Sequence, residues 1–129
     1  MQIVFLDSDT IPELLPVPGW ASNWTNRPAT EPDPEVVVQA LSEADICITN
    51  KVKLTAAILN KLPKLKFVCV AATGYDCVDL QACREHGVTV SNVPGYSRQS
   101  VAEGVIGFIF SLRRALPYYQ TTARRAWPE

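Results

Sequence analysis

Short apolar runs at residues 3–6, 46–48, 67–71 and 88–90, each separated from the next by turn residues and helix-like spacing, limit this chain to few folds. Continuous β-branched runs of that length suit strands buried on both faces. Strands that alternate with helices need crossover connections, and crossovers place them parallel. The expected fold class is therefore α/β, a parallel sheet with helices on its faces. A first helix follows Pro34, which fits a first turn, with Val36, Val37, Ala40 and Leu41 as its apolar face. A second is expected over 54–62, with Thr55 as cap and Pro63 as stop, and a third over 78–85, ended by Gly87. From Ile11 to Pro34 the chain is rich in proline and polar residues, and only a short strand near 22–26 fits there.

Ligands of parallel sheets gather beyond the C-terminal ends of the strands, which assigns Asp7, Asn50, Lys51, Thr73, Gly74, Asn92 and Pro94 to one rim. Within that rim, the run Lys66-Phe-Val-Cys-Val-Ala-Ala-Thr-Gly-Tyr75 breaks at Gly74, where the backbone can turn sharply. Such a turn can aim unpaired N–H groups at a carboxylate or phosphate. An ordinary strand-to-helix connection fits the same residues equally well. Lys51, at the mouth of the neighbouring strand, complements an anion held at Gly74, although most lysines are merely solvated.

At 129 residues the chain is long enough for one domain with a core, and a net charge of −1 leaves no broad basic surface for nucleic acid. Cys47, Cys69, Cys77 and Cys83 form no Cys-x-x-Cys pair, which fits reduced thiols in a cytoplasmic protein without disulfides or a metal site. The N-terminal Gln2-Ile-Val-Phe-Leu6 has no basic leader, so no export is expected. Residues 97–114 read as a helix that is apolar on nearly every side, opened by Ser97 or by a capping box of Ser100 and Glu103. It is too short, and too closely bounded by Glu103 and Arg113, to span a membrane. It is expected to pack against another domain or another copy of the chain. Gly104 and Gly107 fit close helix contact, and no Gly-x-Gly-x-x-Gly fingerprint occurs.

Two other signals compete. Asp7-Ser-Asp9-Thr10 resembles the Asp-x-Asp-x-Thr motif of haloacid-dehalogenase-type phosphohydrolases, in which close carboxylates bind Mg²⁺ and one attacks phosphorus. That chemistry needs a second acidic cluster on a later strand. Ala71-Ala-Thr-Gly74 supplies none, so a solvated loop with a helix cap is the expectation for Asp7 and Asp9. His86, the single histidine, lies in a helix ending and is not expected to act as a base.

Three segments, Ala72-Thr-Gly-Tyr-Asp-Cys-Val-Asp-Leu80, His86-Gly-Val-Thr-Val-Ser-Asn-Val-Pro94 and Ser100-Val-Ala-Glu103, together resemble the D-2-hydroxyacid dehydrogenases. Thr49-Asn-Lys-Val52 and Leu62-Pro-Lys-Leu-Lys-Phe67 lean toward the glycerate dehydrogenase or hydroxypyruvate reductase branch. The resemblance implies a flavodoxin-like substrate domain over residues 1–96, incomplete without a returning C-terminal segment. Residues 97–129 would be a hinge and a long helix leading into an absent Rossmann cofactor domain. It also implies hydride transfer between NAD or NADP and a small 2-oxo or 2-hydroxy acid, such as hydroxypyruvate or glyoxylate. By the same resemblance Lys51, Thr73, Gly74 and Tyr75 contact the substrate carboxylate, and Thr73 and Val101 approach the cofactor. The family's catalytic arginine, carboxylate and histidine lie beyond Glu129, so the chain is expected to carry no catalytic residue, to hold no cofactor tightly and to be inactive alone. A homodimer through Val101 to Leu116 is the expected partner arrangement, and a stand-alone dimerising module is the alternative reading.

Overall fold

Five strands pair entirely in parallel: β1 (Gln2–Phe5), β2 (Asn23–Asn26), β3 (Ile46–Thr49), β4 (Phe67–Val70) and β5 (Thr89–Ser91). Their order, β2-β1-β3-β4-β5, is that of flavodoxin. The computed structural model describes residues 1–11 and 15–126, with Arg124 by its backbone only. Composition explains the order. The polar Asn23-Trp-Thr-Asn26 occupies an edge and leaves only Trp24 half-buried, whereas β1 and β3 in the interior bury nearly every side chain.

Three short helices connect the strands. Helix α1 (Pro34–Leu41) has Pro34 in its first turn, and the Asp33 carboxylate before it accepts from the N–H groups of Glu35 and Val36 at 2.8 and 3.3 Å. Helix α2 is shorter than the expected 54–62, covering Ala56–Leu59, and the Thr55 side chain does not cap it. The reason lies at its start, where Leu54 pairs in a parallel bridge with Val78 and is fully buried. The same bridge takes Val78 out of the third helix, which is α3 (Leu80–Glu85), capped by Asp79 through the Ala82 N–H at 3.0 Å. Gly87 follows α3 with φ 69°, the left-handed turn that glycine accepts without strain.

The sheet has unequal faces. Val4, Cys47, Val68 and Val70 look toward one core with Leu41, Leu59 and Cys83 from α1, α2 and α3. Ile3, Phe5 and Ile48 look the other way, against Ile11 and Ala21 from the connection between β1 and β2. At the N-terminal edge of the sheet, Asp45 fastens three strands. Its carboxylate accepts from the Gln2 N–H at 2.9 Å and lies 3.3 Å from the Lys66 ammonium, and its carbonyl accepts from the N–H groups of Lys66 and Phe67. The Gln2 N–H, and after it Lys66, holds the Asp45 carboxyl below the ordinary aspartate range.

The chain forms two compact units, Met1–Pro94 and Gly95–Glu129. The second contains α4 (Arg98–Arg113) and α5 (Leu116–Ala126), joined through Ala115 at φ 51°. Helix α4 matches the expected long helix, but the capping box does not form. Ser100 donates its hydroxyl to the Ser97 carbonyl, and Glu103 is taken by Gln99 four residues earlier at 2.9 Å. No residue of α4 is buried, and Phe108 and Leu112 are 73% and 74% exposed. The segment 97–129, expected as a hinge and one long helix, is broken at Ala115 and continues as α5. Among the described residues no helix is long and apolar enough to cross a membrane.

Two outcomes follow from the packing of the first unit. Leu54→Ala is expected to cost about 2–5 kcal/mol, lowering the urea midpoint of unfolding without altering its slope. Asp45→Asn is expected to flatten the acid side of the stability profile. A carboxyl held low in the folded state contributes stability above the ordinary aspartate range and loses it as pH falls through the folded-state value. Urea midpoints measured across that range in both proteins check the second outcome.

Candidate functional site

The rim at the C-terminal ends of β1, β3 and β4 is built from two loops that treat their N–H groups in opposite ways. In the loop after β3, three consecutive backbone N–H groups converge on the Asp7 carboxylate. Asn50 donates to Oδ1 at 2.9 Å and Oδ2 at 3.1 Å, Lys51 to Oδ2 at 2.6 Å, and Val52 to Oδ2 at 3.3 Å. Asp7 is 4% exposed, so it is not the solvated loop residue expected from the sequence. Nor does it cap the 3₁₀ turn Ser8–Thr10 that follows it; its carboxylate serves the neighbouring strand's loop. Thr49, wholly buried, completes this turn by exchanging hydrogen bonds with the Val52 N–H and carbonyl.

The loop after β4 leaves its donors open. Asn92 donates its side-chain amide to the Thr73 carbonyl at 2.8 Å, the Thr73 hydroxyl donates to the Val93 carbonyl at 3.1 Å, and the Val93 N–H donates to the Ala72 carbonyl at 3.0 Å. Those bonds fix the loop's carbonyl side. The N–H groups of Thr73, Gly74 and Tyr75 find no acceptor among the described residues, and all three residues are exposed. Three adjacent, unpaired donors on an anchored loop are what an oxyanion requires of a protein backbone.

Gly74 works differently from the expectation. Its φ is not positive, so the turn does not demand glycine for its dihedral angle, and the following residues run through an irregular turn to Asp79 before α3 begins. What a side chain here would meet is its close neighbour two residues on. A Cβ at this position would stand 3.1 Å from Asp76 Oδ1 and crowd the carboxylate.

Lys51 and Gly74 line one hollow of about 150 Å³ with Asn50, Lys53, Asp76 and Cys77. Thr73 and Tyr75 stand in the same loop but outside that lining, and Val101 belongs to α4 in the second unit, where it is exposed. Lys53, Asp76 and Cys77 are additions that the sequence reading did not single out. Lys53 carried a signal, because two residues beyond Lys51 in extended chain is the same side. The lining sets two ammonium groups against one carboxylate, which favours an anionic occupant. Cys77 is half-buried with Sγ 4.0 Å from the Asn50 carbonyl, and burial pushes its thiol above the ordinary range. It is therefore a neutral wall of the hollow near pH 7 and a poor nucleophile. Burial, with the Asp7 charge added, pushes the Cys47 thiol higher still.

The competing constellations come apart. Both Asp7 oxygens are occupied by backbone donors, and Asp9 is exposed. Among the described residues no group of three His, Cys, Asp or Glu side chains stands together as a metal site. His86 shares a 2.6 Å hydrogen bond with Asn60 Oδ1 at the end of α3, and it does not line the hollow.

Comparison with known proteins identifies the family. A glycerate dehydrogenase of Methylorubrum extorquens is 37% identical over 131 residues, covering 96% of this chain, and a hydroxypyruvate reductase of Blautia hydrogenotrophica is 36% identical over 80 residues, covering 62%. The chain spans 39% and 25% of the length of these two relatives. A solved acyclic imino acid reductase, in complex with NADPH and D-Arg, superposes with a TM-score of 0.80 at 26% identity, covering 100% of this chain and 42% of that one. The family model described as D-isomer specific 2-hydroxyacid dehydrogenase, catalytic domain, matches residues 21–125. With that match running through both rim loops and into α5, the chain belongs to the D-isomer specific 2-hydroxyacid dehydrogenase family.

Proposed function

We propose that this chain is the substrate-binding part of an NAD(P)-dependent oxidoreductase that interconverts small 2-oxo acids and D-2-hydroxy acids, such as hydroxypyruvate and glycerate or glyoxylate and glycolate. The observation that carries the reading is the row of unpaired N–H groups at Thr73, Gly74 and Tyr75 beside the hollow that Lys51 lines. A carboxylate seated there receives short charge-assisted hydrogen bonds from the backbone and the Lys51 ammonium. Because the loop is tied to Asn92 and Val93, the carboxylate is held in a fixed orientation, and with it the adjacent carbonyl carbon. A nicotinamide, when bound, supplies or accepts the hydride at that carbon. Thr73 and Val101, each exposed within its own unit, are the residues of this chain that would approach it. The groups that polarise the carbonyl and move its proton are not assigned to any residue of this chain, so the chain alone binds without turning over. This division of labour rests on the family's two-domain architecture and on the 39% coverage of the glycerate dehydrogenase relative.

The exposed apolar residues of α4 support a second element of the reading, a homodimer formed through Val101 to Leu116. Val105, Ile106, Phe108, Ile109, Phe110 and Leu112 are each more than half exposed. A patch of that kind on a lone chain calls for a partner surface.

Titration of the ¹⁵N-labelled chain with hydroxypyruvate is expected to move the amide resonances of Thr73, Gly74 and Tyr75, and NADH added to that mixture is expected to stay unoxidised. Lys51→Met should weaken binding roughly fivefold, the loss of about 1 kcal/mol for one charge-assisted contact at a solvent-exposed site. Shifts confined to other surfaces, or steady NADH oxidation, would contradict the reading. Sedimentation equilibrium should show a dimer that Phe108→Glu converts to monomer; a monomer in the unaltered chain at high concentration counts against the interface.

A further inference from the structure

The Asp7 clamp has a consequence for the ligand as well as for the fold. Three successive N–H groups, from Asn50, Lys51 and Val52, form a concave donor set of the kind that elsewhere binds a free anion. Here the protein's own buried carboxylate fills it. The neighbouring set at Thr73, Gly74 and Tyr75 is left open. The shortest contact in the filled set, 2.6 Å, is to the N–H of Lys51, the residue whose side chain lines the hollow. Thr49 fastens the same turn from within the strand through Val52. The backbone of Lys51 is thus bound to the end of β1, while its long side chain remains exposed.

From this arrangement we infer that Asp7 is a positioning residue for substrate, acting through Lys51: it fixes the lysine's backbone so that the ammonium is offered to the carboxylate held at Gly74. This inference rests on the proposed function and adds to it a residue that does not touch the ligand. The physical gain is entropic. A lysine on a free loop must give up backbone as well as side-chain freedom when it meets an anion, and here the backbone share has already been given up in folding. Asparagine at position 7 preserves shape but replaces one acceptor oxygen with an NH₂ group. That group cannot accept, and it faces N–H donors.

A mutant cycle on this chain tests the inference, with hydroxypyruvate affinity read by ¹⁵N titration for the unaltered chain, Asp7→Asn, Lys51→Met and the double variant. Asp7→Asn is expected to weaken binding roughly two- to fivefold, no more than Lys51→Met does, while the double variant binds no more weakly than Lys51→Met alone, because a residue acting through Lys51 has nothing left to act on. Losses that add, or an Asp7→Asn chain that binds as tightly as the original while Lys51→Met does not, would overturn the inference and leave the functional reading intact. Absence of hydroxypyruvate binding in the unaltered chain would overturn both. Hydrogen exchange in the unaltered chain provides a check that does not depend on a variant folding. The amides of Asn50, Lys51 and Val52 are expected to be protected, and exchange at the rate of an open loop would overturn the clamp. Asp7→Glu, which keeps the carboxylate but displaces it, is expected to fall between Asp7→Asn and the original; affinity as low as that of Asp7→Asn would contradict dependence on the carboxylate.

Discussion

A buried carboxylate ties the ends of two central strands together, and the arrangement of the rim depends on it. Asp7 leaves β1 and receives the N–H groups of the loop that leaves β3. The strand order reverses between β1 and β3, at the point where parallel sheets of this order open a crevice. A loop at such a crevice needs its own donors satisfied before it can present side chains to a ligand, since an unpaired buried N–H is costly. Asp7 meets that need with one side chain. At the opposite edge Asp45 does the complementary work, joining the starts of β1, β3 and β4, so the register of the central strands is fixed at both ends.

Against that fastened loop, the loop after β4 stands out for what it leaves unpaired. Its carbonyl groups are taken by Val93 and by the Asn92 side chain, so the segment is anchored, yet the N–H groups at 73–75 are free among the described residues. Anchored donors without a protein acceptor fit the carboxylate seat proposed here. The donors are held in place and gain most from a ligand that supplies the missing oxygen atoms. The two lysines of the hollow strengthen the preference for an anion. Asn50, Ala72, Gly74, Asp76 and Cys77 complete its wall.

Much of this was legible in the sequence, and the parts that were not share a cause. The strand-helix alternation and the membership of Asp7, Asn50, Lys51, Thr73 and Gly74 in one rim follow from hydrophobic period and from the rule that ligands sit beyond parallel strand ends. The edge strand Asn23–Asn26 was legible only as a weak tendency, because its polar side chains leave it to its neighbour β1 to define it. Helices α2 and α3 came out shorter than their local pattern because Leu54 and Val78 pair with each other, a contact across 24 residues that no local window contains. The role of Asp7 escapes a local window for the same reason. Its neighbours in the chain, Ser8 and Asp9, read as a polar loop, while its real partners lie 43 to 45 residues away. The close neighbour of Gly74 is, by contrast, local: the Asp76 carboxylate two residues on, and not a positive backbone angle.

In the function proposed for this chain, the open row of N–H groups at Thr73, Gly74 and Tyr75 seats a carboxylate beside a lysine that Asp7 holds in place. A crystal structure of the chain grown with D-glycerate decides the point. The glycerate carboxylate is expected within hydrogen-bonding distance of at least two of those N–H groups, with the Lys51 ammonium turned toward it and the Asp7 contacts to Asn50, Lys51 and Val52 unchanged. Glycerate bound elsewhere on the first unit, or a loop refolded so that its N–H groups pair within the protein, would contradict it.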